Sequence, residues 1–204
     1  MTALLLLRHG QSTWNAERRW QGWADAPLSE LGEQQARDAA EHLANAGLTV
    51  AVSSDLVRAR RTAEIVAAAL GIDLRAPEPD LRERDVGLWT GLTIPEIEAR
   101  WPDELAAHRA GRLQRQPEGE DTTTLLKRAT NALARIAVDH AGDVPLVITH
   151  GGVIRSLERA TGADPPAATP NLGGRWFVWT GEGFEPGDLV ALVDPTLKTA
   201  PPSR

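Results

Sequence analysis

Three short apolar segments constrain the fold of this chain more than any other feature. Residues 3–7 (ALLLL), 48–52 (LTVAV) and 145–149 (PLVIT) are nearly free of polar side chains and lie between turn-forming or polar residues. Uninterrupted runs of this length are typical of strands covered on both faces, as in a parallel sheet. Helix-length segments alternate with these runs along the chain. The pattern predicts an α/β, three-layer sandwich with a mostly parallel central sheet flanked by helices.

Capping residues locate the predicted helices. Ser29 is a plausible N-cap, Gly47 and Gly71 are typical helix stops, and Pro95 suits a first helical turn. The predicted helices cover residues 30–46, 56–70, 95–111, 121–141 and 152–161, and further short strands are predicted at 72–74, 175–179 and 189–193.

Length and composition exclude several classes of protein. The chain has 204 residues, which suits one domain, predicted over residues 1–195, with a loose tail at 196–204. It has no cysteine, which excludes disulfides, thiolate metal sites and cysteine nucleophiles. A formal net charge of −6 argues against nucleic acid or an anionic membrane as a general partner.

The first apolar run raises the question of export. No basic residue precedes the leucines of MTALLLL, the run is shorter than a signal core, and no small-residue cleavage site follows. The longest apolar run is also too short to span a membrane. We therefore expect a cytoplasmic protein that makes no membrane contact, and the sequence leaves a homodimer open.

Two histidines follow predicted buried strands in the same way. His9 comes after ALLLLR and His150 after PLVIT, and a glycine follows each of them. Functional sites of open parallel sheets lie at the carboxyl ends of the strands, and glycine lets the backbone approach a ligand closely. The remaining histidines lack this setting and are interpreted as surface residues of helices: His42, His108 and His140.

Phosphate chemistry suits this pair of histidines better than metal binding. Two histidines are an incomplete ligand set, and no HxH or HExxH spacing supports a metal. Arginine, by contrast, binds phosphoryl oxygens with bidentate geometry. Arg8 adjoins His9, and Arg58 lies at the start of a helix that follows a predicted strand, whereas Arg60 and Arg61 are interpreted as solvated.

Five segments in order resemble the motifs of the histidine phosphatase superfamily, the phosphoglycerate mutase-like proteins. Together they reach from residue 4 to about residue 157, and the series is far more specific than any one segment. The segments are 7–15 (LRHGQSTWN), 22–32 (GWADAPLSELG), 54–63 (SDLVRARRTA), 81–92 (LRERDVGLWTGL) and 149–152 (THGG).

The resemblance implies a metal-independent mechanism that needs no cofactor. His9 would be the nucleophile, Glu83 the general acid and base, and Arg8, Arg58 and His150 would bind the phosphoryl group. The charge run 82–85 alone leaves Glu83 and Asp85 open, and only the resemblance favours Glu83. The pocket would be completed by hydrogen bonds from Asn15, Gln21, Gly22 and Gly151.

The implied activity is hydrolysis of a small phosphorylated metabolite. Only 58 residues separate Gly91 from His150, which resembles the shorter phosphatase branch, and a less enclosed site admits water more readily. A cofactor-dependent phosphoglycerate mutase and a non-catalytic phospho-ligand binder are the alternatives. The segment 95–116 should cover the pocket, and its arginines are expected to be mainly solvated: Arg100, Arg109, Arg112 and Arg115.

Overall fold

The sheet of the computed structural model, which describes residues 1–166 and 168–192, is mixed but mostly parallel. Its strand order is β3-β2-β4-β1-β5-β6. Strands β1 to β4 pair in parallel, whereas β5 is antiparallel to both β1 and β6, so five of the six strands run in one direction. The strands are β1 (Thr2–Arg8), β2 (Val50–Ser53), β3 (Asp73–Leu74), β4 (Pro145–Thr149), β5 (Gly173–Trp179) and β6 (Phe184–Ala191).

Seven α-helices are found in the described part of the chain, and they confirm the predicted sandwich. Two 3-10 turns, at Pro79–Leu81 and Gly87–Trp89, interrupt the long connection after β3. None of these helices is long and apolar enough to cross a membrane. The helices are α1 (Thr13–Ala16), α2 (Glu30–Leu43), α3 (Val57–Leu70), α4 (Ile94–Arg100), α5 (Pro102–Arg109), α6 (Thr122–Asp139) and α7 (Gly151–Ala160).

The leucine run of β1 is apolar throughout because both faces of the sheet are covered. Leu4 and Leu6 pack with α6 and α7, whereas Leu5 and Leu7 pack with α2 and α3 on the opposite face. All four leucines are fully buried, and each such side chain contributes about 1.5–3 kcal/mol of transfer free energy. This central strand therefore anchors the residues that follow it.

Several predicted element ends need correction. The prediction of one helix over 95–111 is wrong, because α4 ends at Arg100 and Pro102 begins a second helix. Helix α2 starts after its predicted N-cap Ser29 but ends at Leu43, before the predicted stop. The last strand within the described residues, β6, begins at Phe184 and ends at Ala191, whereas the prediction was 189–193. Val193 and the predicted tail at 196–204 are outside the described residues.

The register of the sheet brings the two strand ends together. Strands β1 and β4 are neighbours, with Arg8 opposite Thr149. The backbone N–H of His9 then donates to the carbonyl of Thr149 at 3.0 Å. His9 and His150 consequently leave the sheet side by side.

Candidate active site

A cavity of about 800 Å³ lies at this end of the sheet. His9, Arg8, Arg58, Glu83 and Gly152 line it, together with residues from the segment 108–126. The structure thus brings together most of the side chains that the sequence singled out. Among the four roof arginines considered above, Arg109 lines this cavity and is paired with Glu98 at 2.9 Å.

The hydrogen bonds of His9 define its tautomer. Its Nδ1 lies 2.6 Å from the carbonyl oxygen of Gly10, and a carbonyl only accepts, so Nδ1 carries the proton. Its Nε2 accepts a hydrogen bond from Nε of Arg58 at 3.2 Å. The unprotonated nitrogen of His9 therefore faces the arginine.

The imidazole of His9 is held in the neutral form. Burial, assisted by the charges of Arg58 and Arg8, lowers its pKa well below the usual 6.5. The pKa of His150 is also lowered well below 6.5, first by burial and then by Arg58. Both rings are neutral at physiological pH, as a nitrogen nucleophile requires.

Backbone carbonyls fix the two arginines beside His9. Arg58 donates to the carbonyls of Ala24 at 2.7 Å and Gly22 at 2.8 Å, and Arg8 donates to that of Thr169 at 2.8 Å. Burial lowers the pKa of both guanidinium groups to about 10, so each stays charged at neutral pH. Two cations are thus held in place without an ion pair to any residue that the structure describes.

The ring of His150 packs edge-on against the ring of the nucleophile candidate, His9. Its ring centroid is 5.2 Å from that of His9, and its Nε2 is 3.0 Å from Oγ of Ser54. Its Nδ1 is buried and has no hydrogen-bond partner among the described residues. The following Gly151 is buried against Cδ of Arg8, and a Cβ there would stand 3.6 Å from that atom.

Glu83 presents its carboxylate to the cavity. The backbone N–H groups of Arg84 and Gly152 donate to its two oxygens, at 2.8 and 3.1 Å. Asp85, the other candidate of the charge run, instead accepts from the N–H of Gly87 at 2.9 Å. Of these two carboxylates, only Glu83 lines the cavity.

Arg128 of helix α6 holds the segment that carries Glu83. Its guanidinium donates to the carbonyls of Asp80, Arg82 and Glu83 at 2.7–2.8 Å. It also forms a largely buried ion pair with Glu120 at 2.7 Å. The sequence analysis missed Arg128, because its partners lie about 45 positions away and no local pattern marks it.

The predicted hydrogen-bonding residues form a small network around Ser12. Asn15 accepts from the N–H of Ser12 at 3.2 Å, and Gln21 accepts from its hydroxyl at 2.8 Å. Asn15, Gln21 and Gly22 all line the cavity. Gly22 has φ of +50°, a conformation that favours glycine.

Three buried side chains that the sequence analysis missed clamp the backbone after His9. Asn171 donates to the carbonyl of His9 at 2.8 Å, and Thr62 accepts from the N–H of Gly10 at 3.1 Å. Gln35 accepts from the N–H of Gln11 at 2.9 Å. Gln35 thereby holds the peptide between Gly10 and Gln11, and the carbonyl of this peptide accepts a hydrogen bond from Nδ1 of His9. Gln35 therefore orients the histidine indirectly, through this peptide.

Replacing Gln35 with leucine is expected to lower kcat for phosphoester turnover about tenfold, since the freed N–H of Gln11 no longer fixes this peptide. KM should stay within about twofold, because Gln35 does not line the cavity. Steady-state kinetics of Gln35→Leu beside Gln34→Leu, an exposed neighbour, make the comparison. An equal loss in both variants would contradict this positioning role.

Gly152 is expected to tolerate no side chain without loss of activity. A Cβ at this position would overlap Oε1 of Glu83, the movable end of that side chain. Gly152→Ala should therefore displace the carboxylate and lower kcat/KM about 100-fold, within the usual range for general acid catalysis. The control is Gly183→Ala, where the added Cβ meets open space. Chemical denaturation should show both variants folded, and full activity of Gly152→Ala would refute the expectation.

The interpretation of His108 as a surface residue is wrong. Its ring packs edge-on against Trp20 and Trp89, with centroids 5.1 and 5.6 Å away, and it lines the cavity. Burial, helped by nearby arginines, lowers its pKa to about 4. His140 is also largely covered, with its side chain 15% exposed, whereas His42 is exposed as predicted.

Comparison with known proteins identifies the family. The model of the histidine phosphatase superfamily (branch 1) matches residues 4–184, most of the chain. The chain therefore belongs to the histidine phosphatase superfamily, whose members include phosphatases and mutases.

Individual relatives lie on both sides of that division. Phosphoglycerate mutase-like protein 4 of Arabidopsis thaliana is 42% identical over 161 residues, which cover 77% of this chain and 70% of that protein. The probable phosphoglycerate mutase GpmB of Escherichia fergusonii is 41% identical over 155 residues, covering 74% and 70%. A mycobacterial glucosyl-3-phosphoglycerate phosphatase superposes with a TM-score of 0.80 at 30% identity, covering 94% of this chain and 98% of that one. The structure of Bacillus stearothermophilus YhfR superposes with a TM-score of 0.83 at 33% sequence identity, covering 91% of this chain and 95% of that one.

Proposed function

We propose that this protein is a phosphomonoesterase that hydrolyses a small phosphorylated metabolite through a phosphohistidine on Nε2 of His9. One observation carries the proposal. His9 is neutral, its proton is fixed on Nδ1, and its unprotonated Nε2 accepts a hydrogen bond from Arg58 inside a cavity that also contains the Glu83 carboxyl. This arrangement combines an activated nucleophile, fixed positive charge and a proton donor.

In the first step, Nε2 of His9 attacks phosphorus and the bond from phosphorus to the ester oxygen breaks. Glu83, in its protonated form, gives its proton to the leaving oxygen. The proton of Nδ1 stays on that nitrogen and is donated to the carbonyl of Gly10, which stabilises the positive charge that develops on the ring.

In the second step, the Glu83 carboxylate takes a proton from water, and the resulting hydroxide attacks phosphorus. The bond between phosphorus and Nε2 breaks and inorganic phosphate leaves. Arg8 and Arg58 neutralise the phosphoryl oxygens in both steps. Asn15, Gln21 and Gly22 line the cavity in which these oxygens would lie. His150 and Gly151 are not among the lining residues but are buried beside His9 and Arg8, and we propose that Nδ1 of His150, which has no partner among the described residues, binds a phosphoryl oxygen.

A mutase is the second candidate, because the curated relatives named above are phosphoglycerate mutase-like proteins. It would share the first step and transfer the phosphoryl group to a phosphoglycerate instead of water. A non-catalytic binder would use the same cavity without bond cleavage. Metal independence, the cytoplasmic location and a single domain over residues 1–195 stay predictions from the sequence.

The test is phosphate release by the purified protein from a panel of monoesters in the presence of a chelator. The panel contains p-nitrophenyl phosphate, sugar phosphates and phosphorylated three-carbon acids. Release that survives the chelator supports the proposal, and loss of activity in the chelator would contradict its metal-free mechanism. Interconversion of 2- and 3-phosphoglycerate without phosphate release would favour the mutase, and binding without turnover would favour the binder.

A further inference from the structure

The cavity is lined mainly by positive charges, whereas the whole chain has a negative net charge. Eight arginines line it within the described residues, together with one carboxylate, although the protein has a formal net charge of −6. The eight are Arg8, Arg18, Arg19, Arg58, Arg84, Arg109, Arg155 and Arg159. Two of these cations, Arg8 and Arg58, suffice to balance the two negative charges of a phosphate monoester.

Of the six other arginines, four make no side-chain hydrogen bond or ion pair within the described residues, and two of these four are exposed to solvent, namely Arg18 and Arg159. Arg19 pairs with Glu17 and Glu96, and Arg109 pairs with Glu98. Arg84 and Arg155, by contrast, make no side-chain hydrogen bond or ion pair with any residue that the structure describes, although both are more than half buried. Burying a cation without a partner is costly, so unpaired cations in a confined cavity indicate that an anionic group of the ligand pairs with them.

Glu83 is the carboxylate that acts on both arginines, whereas Glu120 near Arg84 and Glu158 near Arg155 are already paired with Arg128 and Arg175. In the proposed reaction Glu83 is protonated when the ester is bound, so its compensation is lost at that moment. Burial, and then neighbouring cations, lower the pKa of Arg84 and Arg155. The Michaelis complex therefore has a deficit of negative charge beside the phosphoryl group.

The position of Arg155 limits the distance to the second anion. Its Nη1 and Cδ of Arg8 lie 3.1 and 3.6 Å from one point, where a Cβ on Gly151 would stand. The unpaired guanidinium is thus adjacent to the phosphoryl site. Because His108 is neutral, it adds no charge to this part of the cavity.

We propose that Arg84 and Arg155 form a second anion subsite, which selects phosphomonoesters carrying a carboxylate or a second phosphate a few bonds from the scissile group. Arg159, exposed at the rim, adds positive charge to the same side. This inference rests on the proposed function, since it places the scissile phosphate at His9.

The test uses three esters with one skeleton. Glycerol 3-phosphate, 3-phosphoglycerate and glycerol 1,3-bisphosphate differ only in the group on the far carbon, which is a neutral hydroxymethyl, a carboxylate or a phosphorylated carbon. The wild type should show a kcat/KM at least about tenfold higher for one or both charged esters, as one charge-assisted hydrogen bond provides. The better of the two charged esters identifies the second group.

Arg155→Met and Arg84→Met should each lower kcat/KM for the charged esters about tenfold more than for glycerol 3-phosphate. Arg112→Met, an exposed arginine outside the cavity, is the matched control. Equal activity of the wild type on all three esters would overturn the proposal. So would an equal loss on charged and neutral esters in Arg155→Met, because Arg155 would then serve the scissile phosphate.

Binding to His9→Ala separates this proposal from the proposed function. The same tenfold preference in dissociation constants, lost when Arg155→Met is added, supports the subsite even if the wild type hydrolyses none of the esters. Hydrolysis of p-nitrophenyl phosphate without any preference among the three esters would support the phosphatase and refute the subsite.

Discussion

Replacing His9 with alanine is expected to reduce phosphate release at least about 10⁴-fold, the usual scale for removal of a covalent nucleophile. The proposed reaction has no other nucleophile, since the ring of His150 is fully buried against His9 and its Nε2 is engaged by Ser54. The loss should be the same for good and poor leaving groups, because without His9 no phosphoenzyme forms from either. Initial rates on p-nitrophenyl phosphate and glycerol 3-phosphate measure it.

The control for this substitution is His42→Ala, which alters an exposed histidine of helix α2. It should have wild-type kinetics. Circular dichroism of His9→Ala should show a folded protein, because the backbone around residue 9 is held by Asn171 and Thr62 and not by the imidazole alone. A folded His9→Ala with more than a few per cent of wild-type activity would rule out the phosphohistidine route.

Glu83→Gln is expected to give the second-largest effect, and the effect should depend on the leaving group. An amide keeps the shape of the side chain but cannot give up a proton. For an alkyl ester such as glycerol 3-phosphate, kcat/KM should fall about 10³-fold, within the range of general acid catalysis. For p-nitrophenyl phosphate, whose leaving group needs no proton, the fall in kcat/KM should be about tenfold or less.

Asp85→Asn is the matched control, since the charge run alone left these two carboxylates undecided. The asparagine oxygen can still accept from the N–H of Gly87, so kinetics should change less than about twofold. If Glu83→Gln slowed both esters equally, the carboxylate would not be protonating the leaving oxygen. If Asp85→Asn gave the larger loss, the assignment of the general acid would pass to Asp85.

The fold was predictable because its strongest signals are local. The uninterrupted leucines of β1 predicted a strand buried on both faces, and their alternation between two helix layers confirms it. Ser29 and Gly71 marked helix ends correctly because capping depends on residues three or four positions apart. The prediction of a single helix over 95–111 failed at Trp101–Pro102. Proline is favoured in the first turn of a helix, and Pro102 begins a new helix there.

The site was predictable only in part. His9 and His150 share a recognisable setting, but their contact depends on β1 and β4 being neighbours, which no local pattern encodes. Glu83 stood out from its charge run only through the family resemblance. Gln35, Thr62 and Asn171 act through backbone groups far away in the sequence, so no spacing marks them.

The arginines of the proposed second anion subsite could not be predicted from local sequence either. The sequence predicted that the segment 95–116 covers the pocket with mainly solvated arginines, but the largely buried unpaired cations are Arg84, within a charge run, and Arg155, on an amphipathic helix. Both positions have the local pattern of solvated residues. Only the tertiary structure, which turns them toward one cavity, distinguishes them from the arginines that lie in water.

Mass spectrometry of the phosphorylated enzyme tests the central proposal most directly. The protein is mixed with p-nitrophenyl phosphate, quenched in alkaline denaturant within the first turnovers, digested and sequenced by tandem mass spectrometry. The account predicts one phosphoryl group on the His9 peptide, stable in alkali, lost in acid and absent from His9→Ala. Turnover with no phosphorylated peptide, or with the phosphoryl group on another residue, would contradict it.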